Sequence, residues 1–417
     1  MKRILTIFLL LIISINGVNA KELENYNITE GLDLNKEIEL TSKNIVLYSL
    51  NDKKTLYEYN SEEKVQVASL TKIMTTLVAL ENIDNLDEKI TINYDTFKGI
   101  EEYSKAGFNI GQEVSYKELL YGVMLPSGAD AVNAIILNLG TTEEFIEKMN
   151  QKAKELKMNN THFDNAIGMD SEDNYSTAKD LSILLENALN NKTFYEIFTT
   201  KEYKIERLSL KLESTLLKYS RNTTIDISKI LGAKSGFTDN AGLCLASIAK
   251  INDVEYMLIN LNANYKINRS NAVKDAVKIY NFFDENFSYK EVLKKGQILH
   301  EINNKFGYEK QYSIKSQDNI KYLLSNDIDT KDIKYLYEGL EEINYKNKVG
   351  DKLGKVYITI DDKKIYEYDV YLNDKLKYHH PVLVVIIVLS VAFIIFLLNK
   401  VRKNKKRNRR RRKHRRK

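Results

Sequence analysis

A serine and a lysine three residues apart are the first side chains in this sequence that could do covalent chemistry. They lie in Ala68-Ser69-Leu70-Thr71-Lys72. On a helix, residues at this spacing share one face, one turn apart. A serine hydroxyl is a poor nucleophile until a neighbour accepts its proton, and an amine with a lowered pKa can do so. Ser69 and Lys72 therefore predict a serine nucleophile with its base, although the pattern alone also fits an ordinary amphipathic helix.

Two further segments carry hydroxyl and amine groups where a ligand could reach them. Ser127 lies in Pro126-Ser127-Gly128, a break between two predicted helices. Lys234, Ser235 and Gly236, followed by Phe237 and Thr238, precede an apolar strand. A lysine and a hydroxyl at a strand edge can hold a carboxylate, and glycine lets a substrate backbone approach closely. Taken alone, Lys-Ser-Gly fits a surface turn at least as well.

Hydrophobic periodicity predicts the elements that would position these groups. Ser115 with Glu118 three residues later forms a capping box, which opens a helix through Met124. Further helices are predicted after Ser69, before Gly140, over Thr142–Leu156 and over Asn271–Phe283. Strands are predicted over residues 44–50, 55–59, 243–249 and 254–261. Short alternating segments over residues 291–376 predict a small β-rich domain.

The first twenty residues predict export. Lys2 and Arg3 precede an apolar run, and Val18-Asn19-Ala20 supplies small residues where a signal peptide is cut. We therefore expect a signal peptide over residues 1–20 and a polar, irregular leader over 21–36. An uncleaved anchor helix is the alternative, but the apolar run is short for spanning a bilayer.

The other end of the sequence predicts a membrane anchor. Every residue from Val382 to Leu398 is apolar except Ser390, and fourteen Lys or Arg lie between Lys400 and Lys417. Such a cluster beside an apolar helix marks the cytoplasmic side. We therefore expect a transmembrane helix over 382–398 and a cytoplasmic polybasic tail over 399–417, in contact with anionic lipid. A nucleic-acid-binding tail is the alternative that this position disfavours.

Composition excludes several classes of protein. The formal net charge is +6, and the tail alone contributes +14, which leaves −8 for residues 1–399. The exported part is therefore not expected to bind nucleic acid. Cys244 is the single cysteine, so there is no intramolecular disulfide framework, and its apolar surroundings predict a buried core thiol. The five histidines are not spaced as metal ligands, and no metal or cofactor is expected.

The order S-x-x-K, a serine in a helix break, then K-[ST]-G resembles penicillin-binding proteins and serine β-lactamases. Four blocks resemble the low-molecular-weight D-alanyl-D-alanine carboxypeptidases of the S11 peptidase family in particular. The resemblance covers about residues 37–285 and, more loosely, the β-rich segment. The blocks are ASLTKIMTTLVALE, MLPSGADA, THFDNAIGMD with YSTAKDLSIL, and GAKSGFTDNAGLCLAS.

The resemblance implies a role for each matching position. Ser69 would attack the carbonyl of the penultimate D-alanine of a peptidoglycan stem peptide, with Lys72 as general base. Ser127 would relay a proton to the leaving amine. Lys234 and Ser235 would orient the terminal carboxylate, with Gly236 and Thr238 beside them. The N–H groups of Ser69 and Phe237 would form the oxyanion hole.

The resemblance also implies that Arg269 adds positive charge near the carboxylate, and that β-lactam antibiotics acylate Ser69. Three positions depart from the family pattern. Ala129 stands where the family usually has Asn, Ser235 replaces the commoner Thr, and Asn174 stands where His is expected. Of these, the loss of an amide at 129 is the change most able to weaken substrate positioning or deacylation.

The sequence thus predicts an α+β chain with a β-lactamase/transpeptidase-like catalytic domain over residues 37–288. A small all-β domain over 291–376 and one C-terminal transmembrane helix follow. The alternatives are a β-lactamase, or a non-catalytic membrane-anchored protein that binds wall peptides. The oligomeric state is left open.

Overall fold

The computed structural model describes residues 23–414 except 222, 267 and 380. The predicted signal peptide over residues 1–20 lies outside these residues. The chain divides into two compact units, Asn27–Phe287 and a second unit formed by Ser288 onward together with the chain up to Tyr26.

The first unit mixes helices with an antiparallel sheet. Its strands are β1 Asn44–Ser49, β2 Lys54–Tyr59, β3 Lys89–Thr91, β4 Glu113–Ser115, β5 Glu202–Ile205, β6 Leu210–Glu213, β7 Ile230–Thr238, β8 Gly242–Ile251 and β9 Val254–Ala263. Its helices are α1 Leu34–Ile38, α2 Thr71–Asn82, α3 Tyr116–Met124, α4 Ala129–Leu139, α5 Thr142–Glu155, α6 Ala178–Leu189, α7 Lys192–Thr199, α8 Thr215–Ser220 and α9 Asn271–Asn286.

Five strands form the main sheet in the order β2-β1-β9-β8-β7, so β7 is an edge strand. Side chains alternate between the two faces of a strand. Met257, Ile259 and Leu261 of β9 pack into the helical core. The residues between them turn to the other face, where the Asn260 amide donates to the carbonyl of Ala272 at the start of α9. The sheet is therefore covered on both faces, which explains the continuous apolar runs in β8 and β9.

Sequence-encoded caps begin the helices that lead to the site. The predicted capping box is present, because Ser115 Oγ accepts the N–H of Glu118 at 3.2 Å and Glu118 Oε2 accepts the N–H of Ser115 at 2.9 Å. Such a box satisfies two N–H groups that the helix itself leaves free. The helix it opens, α3, ends at Met124, three residues before Ser127.

The second unit has its own apolar core beneath three small sheets. Its strands are β10 Phe287–Leu293, β11 Ile298–Asn304, β12 Gln311–Lys315, β13 Ile320–Ser325, β14 Lys334–Gly339, β15 Glu342–Ile343, β16 Lys352–Ile360 and β17 Lys363–Tyr371. The predicted all-β character is confirmed. The leader, however, is not wholly irregular: Asn25 pairs with Lys364, and α1 begins at Leu34.

The chain ends in α10, Pro381–His414. Among the described helices, α10 is the one long and apolar enough to cross a membrane. The helix continues past Leu398 through the basic residues. The sequence pattern predicted a tail there and indicated no secondary structure for it. Lysine and arginine are good helix formers, so the basic segment can extend the helix that precedes it.

The buried carboxylate of Asp275 ties α9 to the chain before β1. Its Oδ2 accepts hydrogen bonds from the N–H and hydroxyl groups of both Thr41 and Ser42, at 2.7–2.9 Å. We expect Asp275→Ala to lower the free energy of unfolding by about 3 kcal/mol, because four buried or partly buried donors lose their acceptor. Urea unfolding measures this, with Asp87→Ala at an exposed turn as the control. A loss no larger than in the control would contradict this role.

Candidate active site

Ser69 is held in a tight turn before α2. A 3₁₀ turn, Ala68–Leu70, precedes the helix, and Ala68 has a left-handed backbone with φ +47°. Gly168 lies against this turn so closely that a Cβ there would be 2.0 Å from the carbonyl oxygen of Ala68. Non-glycine residues adopt positive φ at an energetic cost that surrounding structure must offset. The packing of Gly168 is part of that surrounding structure.

Lys72 is buried beside Ser69, with only 1% of its surface exposed. Its Nζ lies 3.0 Å from Ser69 Oγ and donates to the carbonyl of Ile167 at 2.5 Å. Burial disfavours the charged amine and lowers the pKa of Lys72 to about 7, against the opposing attraction of Asp130. The Lys72 amine is therefore suited to accept the proton of Ser69 near neutral pH.

A loop around Asn165 supplies the acceptor for Lys72. Asn165 Oδ1 accepts the N–H groups of Gly168 and Met169 at 2.7 and 2.9 Å. Thr75 of α2 donates to the carbonyl of Ala166 at 2.6 Å. These bonds fix the backbone on both sides of Ile167, so its carbonyl oxygen points at the amine.

A second serine–lysine pair accompanies the first. Ser127 is buried and has a left-handed backbone with φ +66°. Lys234 Nζ, fully buried, donates to Ser127 Oγ at 2.8 Å and to the carbonyl of Ser235 at 2.7 Å. Burial lowers the pKa of Lys234 well below its usual value, and the charge of Lys72 lowers it further. The charge of one amine affects the pKa of the other because both lie in the same low-dielectric surroundings.

The turn that carries Ser127 is fixed by Asp130. The buried carboxylate of Asp130 accepts the N–H groups of Ala106 and Gly107 at 2.7 and 3.2 Å. A Cβ on Gly128 would lie 2.7 Å from both Asp130 Oδ1 and the Ala106 side chain. Only glycine therefore fits between the Ser127 turn and the loop that Asp130 holds.

The edge strand β7 brings the Lys-Ser-Gly segment to Ser69. A Cβ on Gly236 would lie 3.0 Å from both the Ser69 nitrogen and the Val67 carbonyl oxygen. Ser235 Oγ donates to Thr215 Oγ1 at 2.7 Å. Because β7 has a neighbour on one side only, backbone groups on its other side are available to a ligand.

Aromatic residues place a cation next to the end of β7. The Arg269 guanidinium carbon lies 3.9 Å from the centre of the Phe237 ring, and Tyr265 packs edge-on against the same ring at 5.0 Å. This stacking holds Arg269 beside the residue that follows Lys-Ser-Gly. Thr238 Oγ1 accepts the N–H of Ala241 at 3.0 Å, so this hydroxyl serves the turn between β7 and β8.

The fold thus brings together Ser69, Lys72, Ser127, Lys234, Ser235 and Gly236, with Phe237 and Arg269 adjacent. Four polar contributors were not identified from the sequence: Asp130, Asn165, the Ile167 carbonyl and Thr215. Asn165 and Ile167 lie within the block THFDNAIGMD, whose resemblance to the family could have identified them as site residues. Nothing in the sequence around Thr215 indicated its role.

The three residues that depart from the family pattern, Ala129, Asn174 and Ser235, differ in their surroundings. Ala129 is fully buried, belongs to the hydrophobic core, and contributes no polar side chain to the site. Asn174 is buried, and its amide donates to the Met169 carbonyl at 3.2 Å, which supports the loop that presents Ile167. Ser235 keeps a hydroxyl, whose partner is Thr215.

Cys244 lies across from Gly236 in the pairing of β7 with β8. Cys244 is buried in β8, as its sequence context predicts, and burial raises the pKa of its thiol to about 12. A thiol of this kind is not a nucleophile near neutral pH. Among the described residues, no cluster of three or more His, Cys, Asp or Glu is arranged to hold a metal ion.

Comparison with known families identifies the chain. The D-alanyl-D-alanine carboxypeptidase family model, peptidase family S11, matches residues 32–265, and that of the penicillin-binding protein 5 C-terminal domain matches 287–378. Because the first match covers more than half of the 417 residues, the chain belongs to the S11 D-alanyl-D-alanine carboxypeptidase family. Members of this family are serine hydrolases that act through an acyl-enzyme.

Curated relatives carry the same activity in their names. The chain is 28% identical to D-alanyl-D-alanine carboxypeptidase DacF of Bacillus subtilis over 350 residues, covering 82% of this chain and 87% of the relative. It is 34% identical over 208 residues to the D-alanyl-D-alanine carboxypeptidase of Streptomyces sp. K15, covering 47% and 72%.

Solved structures confirm the fold. D-alanyl-D-alanine carboxypeptidase DacD from Francisella tularensis superposes with a TM-score of 0.62 at 22% identity, covering 88% of this chain and all of that one. Penicillin-binding protein 5 from Haemophilus influenzae gives 0.61 at 22% identity, covering 81% and 98%. The Streptomyces K15 DD-transpeptidase gives 0.53 at 29% identity, covering 58% and 97%.

The pKa of Lys72 predicts how acylation depends on pH. If Lys72 is the base toward Ser69, its neutral amine is the active form, and the rate of Ser69 acylation by benzylpenicillin should rise about tenfold per pH unit below 7 and level off above it. Mass spectrometry of adduct formation between pH 5 and 9 measures the profile. Lys72→Arg should give no adduct across the range, because a guanidinium stays protonated. A flat wild-type profile would contradict the role of Lys72.

Asp130 should set the midpoint of that profile. Its negative charge raises the pKa of Lys72, so Asp130→Asn should move the midpoint to lower pH. Asp95→Asn, a change in an exposed pair with Lys98, is the control and should leave the midpoint in place. Thermal unfolding of both variants separates this effect from loss of structure. An unmoved or higher midpoint in folded Asp130→Asn would exclude the electrostatic role.

Proposed function

We propose that this protein removes the terminal D-alanine from peptidoglycan stem pentapeptides by the acyl-enzyme route of its family, with Ser69 as the nucleophile. The observation that carries the assignment of residues is that two serine–lysine pairs with buried lysines, Ser69–Lys72 and Ser127–Lys234, lie close together beside the edge strand β7. This arrangement would supply a nucleophile, a base, a proton relay and carboxylate-binding groups next to one another.

In the acylation step, Ser69 Oγ attacks the carbonyl carbon of the penultimate D-alanine while Lys72 Nζ accepts the hydroxyl proton. The negative charge that develops on the carbonyl oxygen needs N–H donors. The N–H groups of Ser69 and Phe237 are the proposed donors. The approach of Gly236 to the Ser69 nitrogen supports this pairing, because it brings the backbone of β7 next to that of Ser69.

When the peptide bond breaks, the leaving amine of the terminal D-alanine takes the proton that Lys72 accepted from Ser69, and Lys72 becomes neutral again. Ser127 is the proposed relay for this proton, because its hydroxyl contacts the buried amine of Lys234, whose pKa the charge of Lys72 lowers. Water then attacks the ester carbonyl, Lys72 accepts a proton from that water and passes it to Ser69 Oγ, and Ser69 leaves as the free hydroxyl. The products are the shortened stem peptide and D-alanine, and no cofactor takes part.

Lys234, Ser235 and Arg269 are the proposed binding groups for the terminal carboxylate. A bound carboxylate would favour the charged form of Lys234, whose pKa is held low in the free site. A charged Lys234 would in turn keep Lys72 neutral, because like charges disfavour each other. Substrate binding would thereby place the two amines in the protonation states that acylation requires.

We also propose the layout of the chain in the cell. The signal peptide over residues 1–20 would be removed and followed by the leader over 21–36. The catalytic domain over 37–288 and the β domain over 291–376 would lie outside the cytoplasmic membrane. The helix over 382–398 would span the membrane, and the tail over 399–417 would lie in the cytoplasm. The apolar helix α10 and the fourteen basic residues after Asn399 support this orientation.

Covalent labelling and product release test the proposal together. The purified protein is incubated with benzylpenicillin, whose ring amide resembles the acyl-D-alanyl-D-alanine bond, and separately with a stem pentapeptide. We expect an adduct on Ser69 and release of one D-alanine per peptide. Ser69→Ala should form no adduct and release D-alanine at least about 10³-fold more slowly, because the nucleophile is lost. Release by Ser69→Ala at the wild-type rate would refute the mechanism.

The same experiment separates the alternatives. Fast hydrolysis of the penicillin, without a stable adduct and without D-alanine release, would indicate a β-lactamase. Peptide binding with neither adduct nor release would indicate a non-catalytic binder of wall peptides, which Ala129 would then explain. Ser182→Ala is a matched control, since this serine lies on α6 outside the site.

A further inference from the structure

Two loops of the β domain expose large apolar side chains side by side. Phe306 and Tyr308 are 44% and 65% exposed in the loop between β11 and β12, and Tyr345 and Val349 are 48% and 57% exposed between β15 and β16. The segment 375–379 joins the loops, because Tyr378 pairs with Gly307 and lines a cavity of about 330 Å³ together with Tyr345 and Val349. We call loops 305–310 and 344–350 with segment 375–379 the basal surface.

The basal surface is tied to the start of α10. The N–H of His379 donates to the Phe306 carbonyl at 2.6 Å, and the His379 ring packs at a tilt of 35° against Tyr308 with 4.0 Å between ring centres. Pro381, where α10 begins, is two positions after His379 along the chain, a distance of at most about 7 Å. The interfacial layer of a bilayer is about as thick as this. If α10 spans a membrane, these aromatic rings lie at its surface.

The charge of the basal surface is complementary to an anionic bilayer. The three segments together contain six lysines and one glutamate. Glu342 pairs with Lys305 at 3.3 Å, and Asp351 and Asp374 lie at the margins. Lysines close to a membrane surface attract anionic lipid, and tyrosine and phenylalanine at that depth place their rings among the headgroups.

We propose that the basal surface is a membrane-contact surface, which inserts Phe306, Tyr308 and Tyr345 into the interfacial layer of an anionic bilayer. This inference rests on the proposed anchoring by α10 and goes beyond it. It gives the β domain a binding surface of its own for lipid headgroups. The domain would then be attached at two points, the helix and the basal surface.

The chain has no tryptophan, so single tryptophan substitutions report on depth without background. The full-length protein is reconstituted in vesicles of phosphatidylglycerol and phosphatidylcholine, with and without bromine-labelled acyl chains. Tyr308→Trp is the test variant. Tyr366→Trp is the matched control, because Tyr366 is also exposed in the β domain but lies toward the far end of the β16–β17 hairpin.

We expect the emission of Tyr308→Trp to shift to shorter wavelength and to be quenched by the brominated lipid at least about threefold more than that of Tyr366→Trp. Replacing Lys346 and Lys348 by glutamine in the Tyr308→Trp background should reduce the quenching. Equal, weak quenching of Tyr308→Trp and Tyr366→Trp would overturn the membrane-contact surface.

A third variant tests whether α10 is embedded in the membrane, independently of whether the basal surface contacts it. Phe393→Trp reports on the middle of α10 and should be strongly quenched if the helix is embedded. Quenching of Phe393→Trp without quenching of Tyr308→Trp refutes the surface alone. Quenching of neither refutes the anchor and the surface together, while the adduct on Ser69 tests the catalytic proposal independently.

Discussion

The site depends on the burial of one amine. Lys72 can serve as a base for Ser69 only while uncharged, and burial is what removes its charge near neutral pH. A buried amine must still be hydrogen-bonded, because an unpaired polar group in the interior costs free energy. Ser69 Oγ and the Ile167 carbonyl provide those bonds. The Lys72 nitrogen therefore needs three parts of the fold: helix α2 to carry it, the Asn165 loop to supply an acceptor, and the surrounding core to bury it.

The second constraint is how closely three stretches of backbone approach one another. The turn at Ala68–Leu70 lies between Gly168 on one side and Gly236 on the other, and a Cβ at either position would meet backbone atoms at 2.0–3.0 Å. Glycine is needed at Gly168 because a Cβ would overlap the Ala68 backbone and because its φ is +81°. At Gly236 a Cβ would be tight enough against Ser69 and Val67 that those backbone atoms would have to shift. The close approach brings the backbone of β7 next to the backbone of the turn that carries Ser69.

Local chemistry explains what the sequence could predict, and long-range contacts explain what it could not. The strands, the capping box at Ser115 and the serine–lysine spacing are encoded within a few residues. Thr215 meets Ser235 only because α8 packs beside β7, and nothing near Thr215 in the sequence encodes that contact. Likewise, the pairing of Asn25 with Lys364 joins opposite ends of the described chain, so the leader seemed irregular when considered alone. Pairing across such separations depends on the completed fold.

Ala129 shows how a site can lose a polar group without losing its shape. Its N–H donates to the Ser104 carbonyl at 2.8 Å, while the neighbouring Asp130 carboxylate holds Ala106 and Gly107. The loop opposite Ser127 is thus fixed by the backbone of residue 129 and the side chain of residue 130. Neither bond needs an amide side chain at 129. The two serine–lysine pairs remain complete beside the substitution, so every side chain that we propose for acylation keeps its place.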